Sequence, residues 1–117
     1  MSAQTSQTQG KNELPASESA RVADLVNYQD GAVVSRTLVK RATGTITVFA
    51  FDAGQALSEH TAAFDALVQM LEGEAEITIS GKPFQLHAGE AILLPAHQAH
   101  GVTAATRFKM LLTMIRS

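Results

Sequence analysis

Cysteine is absent from this chain of 117 residues, and so is tryptophan. Without thiols there are no disulfides, no thiolate zinc sites and no sulfur nucleophile. Small secreted domains commonly lean on disulfides, so a cytoplasmic location is the expectation. A dominant charge is lacking too: nine Lys and Arg face eleven Asp and Glu, for a net charge of −2. Lys40-Arg41 is an isolated basic pair, and the other basic residues are scattered. Nothing there forms a stripe that could neutralise phosphates, so no nucleic-acid partner is expected. No apolar run reaches the ~18 residues of a membrane span, so no membrane partner is expected either. The N-terminus has no apolar stretch behind a basic start and does not read as a secretory signal. A long helical period is also missing, which disfavours a parallel sheet of βαβ units.

What is present suits one globular domain. The hydrophobic share is 45%, ordinary for a folded chain, and the length matches one domain. Residues 1–19 are rich in Ser, Thr, Gln and Ala; they read as a flexible tail before a domain over 20–117. Val22, Leu25 and Val26 follow at helix-like spacing, with Ser19 as a candidate cap, and predict a short helical turn before Tyr28. Asp30-Gly31 then signals a turn. From there the pattern becomes short β-like runs over 33–41, 45–51, 67–71, 74–79, 83–86, 91–94, 102–104 and 108–115, punctuated by glycine. The run at 66–71 contains good helix formers, but it is short and hairpin-like sequence follows. The class is therefore all-β, a sandwich or barrel. Glu72, Glu74 and Glu76 read as a solvated strand edge. The segment 110–115 is apolar at nearly every position, which needs cover on both faces or a second subunit. Together with the small size, it points to a homodimer.

Two glycine-histidine patterns add a family resemblance. Gly54 precedes His60 by six residues, and Gly73 closes the same segment. Gly89, Pro95, His97 and His100 follow in the order G-x5-P-x-H-x2-H. These stretches resemble the two motifs of the cupin superfamily, G-x5-H-x-H-x3,4-E-x6-G and G-x5-P-x-G-x2-H-x3-N. The resemblance implies a single-domain cupin jelly-roll β-barrel, the family's habit of pairing barrels, and a pocket into which His60 and His100 point. Cupins typically hold a divalent metal through two His and one Glu of the first motif and the His of the second. This sequence has Ala62 where the second His stands and Ala66 where the acid stands. Asp65 sits one residue early, and in a strand that offset turns a side chain to the other face. His97 occupies a position usually held by Gly, one that often needs φ above zero.

The site can be read in two ways. Imidazoles ligate most first-row ions through a neutral nitrogen. His60, His100 and a third ligand could hold one divalent transition metal (Zn, Fe, Ni, Mn or Cu) in a small dioxygenase, isomerase or decarboxylase. His97 is the first candidate for the third ligand; Gln69 and Glu59 are remoter ones. Alternatively the pocket is metal-free, and the two His meet a small-molecule ligand. Ala62, Ala66, Val68 and Met70 are expected to line it, the last three by strand parity. Met70, Met110 and Met114 suit an adaptable apolar pocket, or equally a core or interface. His87 precedes a turn and reads as surface. No Ser-His-Asp arrangement and no glycine-rich phosphate loop can be read.

Overall fold

The computed structural model describes residues 13–116; residues 1–12 of the expected tail lie outside them. Among the described residues nine strands run in order: β1 Val33–Arg41, β2 Gly44–Phe51, β3 Ala56–His60, β4 Asp65–Glu72, β5 Glu74–Ile79, β6 Lys82–His87, β7 Ala91–Leu94, β8 His100–Thr103 and β9 Phe108–Ile115. They pair antiparallel in two sheets, β1-β2-β9-β4-β7 and β3-β8-β5-β6. This is the expected jelly roll. Among the described residues the larger sheet ends at β1 and β7, and the smaller one at β3 and β6.

Alternation drives the layering. On β4, Ala66, Val68 and Met70 are buried; on β5, Ala75 and Ile77 are. These side chains meet Phe51, Leu86, Leu94, Val102, Phe108 and Met110 between the sheets. Phe51 and Phe108 stack with ring centroids 4.5 Å apart. Each Val, Leu, Ile, Phe or Met among them contributes ~1.5–3 kcal/mol by leaving water.

A second cluster covers the outer face of the larger sheet. Val26, Leu38, Val48 and Ala50 form it, joined by Leu14, Val22, Leu25, Tyr28 and Leu111. The N-terminal segment is thus laid across the sheet. Leu14 N–H donates to the Leu38 carbonyl at 3.0 Å, and Glu13 pairs with Arg41 at 3.1 Å. The helical turn is a 3-10 turn over Val22–Leu25; Arg21 stands at its N-cap, with no side-chain cap bond. The expected Ser19 cap is therefore not used. What holds the turn is a polar clasp. Lys109, buried on β9, donates to the Ala23 carbonyl at 2.7 Å. Tyr28 OH donates to Glu72 at 2.7 Å and lies under the cations of Lys109 and Arg107. Burial and the Glu72 carboxylate raise the Tyr28 phenol above its ordinary range. Arg107 in turn bonds Asp52 at 2.7 Å, which is the main reason Asp52 falls to about 2.

Three expectations change. A strand, β3, exists where none was expected. The acidic strand β5 lies between β8 and β6, so it is not an edge. Glu74 faces solvent and meets His87 at 3.1 Å, while Glu72 belongs to the Tyr28 clasp. The apolar run of β9 is explained in part by its central place between β2 and β4. One face meets the core, and the other meets the N-terminal segment as far as Leu111. Gly73, the closing glycine of the first motif, has φ +75, and a Cβ there would collide with the Arg107 carbonyl. Backbone approach and a left-handed turn both require glycine at that point.

Candidate functional site

The pocket opens between the sheets. It has a volume of about 70 Å³. Its apolar wall comes from Phe49 on β2, Leu57 on β3, Ala66 and Val68 on β4, Leu94 on β7, Val102 on β8, and Met110, Leu112 and Met114 on β9. Ala62 closes one side, and His60 and His100 supply the polar groups.

A β-bulge aims His60. Leu57 pairs with Val102 and His60 with His100, so three steps on β3 match two on β8. By simple alternation Leu57 and His60 would point to opposite faces. The extra residue restores His60 to the face of Leu57 and into the pocket. Gly101 makes this possible: a Cβ there would lie 3.0 Å from the Leu57 carbonyl and 3.2 Å from Glu59. The two His then stand opposite each other across the strands. Their ring centroids are 4.5 Å apart, with the planes at 67°. His100 is only 8% exposed, whereas His60 is exposed at the mouth.

Both rings are held from behind. His60 Nδ1 lies 3.0 Å from the Ser58 carbonyl, and His100 Nδ1 lies 3.3 Å from the Gln98 carbonyl. A carbonyl oxygen only accepts, so each Nδ1 carries the proton and donates. In the neutral rings both Nε2 atoms therefore keep bare lone pairs. Burial, and next the charge of His60, push His100 below its ordinary range, which favours its neutral form.

The other expected residues fall out as follows. Ala62, Ala66 and Val68 line the pocket. Met70 shares their parity but lies in the core, outside the pocket lining. Its strand neighbour Met110 does reach the pocket, as does Met114. His97 is exposed and lies outside the lining, with φ +69; its N–H donates to the Ala62 carbonyl at 2.7 Å. It bends the rim rather than facing the cavity. Asp65 also points outward and accepts from Ala96 N–H at 2.8 Å. These two bonds tie the loop after β3 and the first residue of β4 to the loop after β7. Gln69 and Glu59 are exposed and outside the lining. His87 is exposed between Glu74 and Glu90. Leu112 and Phe49 were findable from the alternation of β9 and β2. Leu57 carries no such signal, because β3 has no alternating buried face.

The donor set is too small for a metal. Among the described residues no group of three His, Cys, Asp or Glu could hold an ion. Two imidazoles fall short of the three protein ligands usual for a catalytic site. Methyl groups stand where the remaining ligands would be. The described residues do not fit a resident metal.

A two-sheet jelly roll with a histidine-mouthed internal pocket defines the structural class. The cupin domain family matches residues 47–115, and the chain belongs to that family. It is 33% identical to a conserved protein of unknown function from Streptococcus pyogenes, with a TM-score of 0.85 over 90% of this chain and 92% of that one. A cupin superfamily protein from Desulfitobacterium hafniense is 30% identical, with a TM-score of 0.84 over 90% and 96%. A cupin 2 conserved barrel domain protein from Leptotrichia buccalis is 40% identical over 80% of this chain, but over only 46% of its own; the TM-score is 0.78. No curated protein matches. Among the described residues no helix is long and apolar enough to cross a membrane.

Proposed function

We propose that this protein is a binding module whose pocket holds a small organic molecule against His60 and His100. The observation that carries the reading is the lining. Among the described residues, every one that lines the wall is apolar except the two imidazoles. Apolar pockets with a few convergent polar groups are the usual form of small-molecule sites.

The experiment is a methyl NMR titration with small apolar compounds. Binding should move the methyl signals of Val68, Val102 and Leu112 in the parent protein. It should be blocked in Ala66→Leu, which fills the cavity. Shifts that persist unchanged in Ala66→Leu would refute the pocket as the binding place.

A second reading has one specific observation behind it. With both Nδ1 atoms bonded to carbonyls, the bare Nε2 atoms have the tautomer that metal ligands use. A small metalloenzyme of dioxygenase, isomerase or decarboxylase type would need a third ligand from outside the described set. Stoichiometric metal in the purified protein would favour it.

The protein is further proposed to pair as a homodimer. Leu93 and Ile115 are 54% and 59% exposed on the outer face of the larger sheet. They flank Leu67 and Thr113 there, beyond the part covered by the N-terminal segment.

A further inference from the structure

We infer that the pocket selects a small neutral molecule bearing a hydroxyl group, with the hydroxyl proton directed at the imidazoles. The inference rests on the pocket being the binding site, as proposed above, and adds the chemical class of its ligand.

Three observations converge. First, both Nδ1 protons are already committed to backbone carbonyls, at Ser58 and Gln98. What each neutral ring offers the cavity is an acceptor. A ligand that can only accept, such as an ether or a carboxylate, would set lone pair against lone pair.

Second, among the described residues no Lys, Arg, Asp or Glu lines the pocket. An anion would lose its water with no cation to meet it, and a cation would find no carboxylate. Both are costly in an apolar wall. A neutral ligand avoids that loss.

Third, the polarity is graded. His60 is exposed at the mouth and His100 is buried behind it. Val68, Met110 and Leu112 form part of the apolar wall. The ligand's carbon chain therefore goes inward and its hydroxyl stays near the rings. The volume of about 70 Å³ is roughly half the 150 Å³ of a dry cavity that accepts benzene. A chain of a few carbons matches that space.

The test compares 1-butanol, its isomer methyl propyl ether, and butyrate. Each is titrated by methyl NMR at about pH 7.5, where the ordinary imidazole is mostly neutral. The alcohol should bind at least about tenfold more tightly than the ether or the anion, because a buried acceptor is left unpaired by both. In His60→Ala the preference over the ether should shrink markedly while the fold's methyl spectrum is kept. Imidazole nitrogen shifts should report both Nδ1 atoms protonated and both Nε2 atoms bare. Equal affinity for all three probes would overturn the inference and leave the pocket reading intact. Tightest binding of butyrate would overturn it by showing a protonated ring in the site, and a protonated Nε2 in either ring would remove its premise. If no probe moves the Val68, Val102 or Leu112 methyls, the pocket reading fails and the inference with it.

Discussion

His97 adopts a left-handed backbone at φ +69, a conformation that costs a non-glycine residue ~1–2 kcal/mol. The family's usual glycine would relieve that strain while loosening the unfolded chain. His97→Gly should therefore keep stability within ~1 kcal/mol of the parent in chemical denaturation. Ligand affinity should not change, because the imidazole lies outside the pocket; lost affinity would place His97 in the site. His100 gives a pH prediction. Burial lowers its pKa in the fold, so the unfolded chain binds more protons as pH falls below the ordinary value of about 6.5. The stability tied to the neutral ring is full above that value. It is lost as pH falls through it towards the lower folded value. Urea midpoints measured between about pH 7.5 and 5 should fall, and in His100→Phe they should fall less. An equal slope in both proteins would contradict the assignment. At this scale the motif spacing singles out His60, His100, Ala62 and Ala66, and the fold places all four around one cavity. It could not show that Met70 stops short of the pocket, since parity fixes a side chain's face but not its depth along the strand.

The β3 bulge is the element on which the site depends. A Cβ at Gly101 would press on Leu57 and Glu59 at 3.0 and 3.2 Å. Gly101→Ala should crowd β3 by a few tenths of an ångström and strain the bulge, at ~1–3 kcal/mol by overpacking. His60 then turns or shifts. The expected outcome is a folded but less stable protein, with a changed His60 ring signal and a weakened preference for 1-butanol over methyl propyl ether. An unaltered His60 signal would separate Gly101 from the site. The same bulge explains why β3 was illegible. Its extra residue breaks the alternation, and Ala56, Ser58, Glu59 and His60 are exposed, so no buried face marks the strand. β5 misled in the opposite way. Its alternating acids describe one wet face, and a sheet interior can have a wet face as readily as an edge. β9 was ambiguous because burial on two faces and burial against a partner leave the same apolar pattern.

At the scale of the molecule, two apolar layers share one sheet. The inner layer carries the pocket, and the outer layer ties down the N-terminal segment. Phe108→Ala should cost ~3–5 kcal/mol, because the stacked Phe51 loses its partner and a cavity opens. The jelly roll itself was legible, since glycine punctuation and the two motifs constrain many strands at once. The covering N-terminal segment was not, because Leu14, Val22 and Leu25 make contacts with distant strands that no local pattern encodes. The exposed Leu93 and Ile115 bear on assembly. Light scattering at micromolar concentration should give a dimer, and Leu93→Asp should shift it towards monomer; a monomeric parent protein would contradict the pairing.

The central claim is that His60 and His100 meet an organic ligand rather than a resident metal. Metal per subunit tests it most directly, measured on untagged protein as purified and again after incubation with Zn, Fe, Ni, Mn and Cu in turn. Deprotonated ligands in sufficient number are what hold an ion, and two imidazoles with alanines beside them supply too few. The predicted content is below about a tenth of an equivalent in every case. One equivalent, lost in His60→Ala or His100→Ala, would contradict the account.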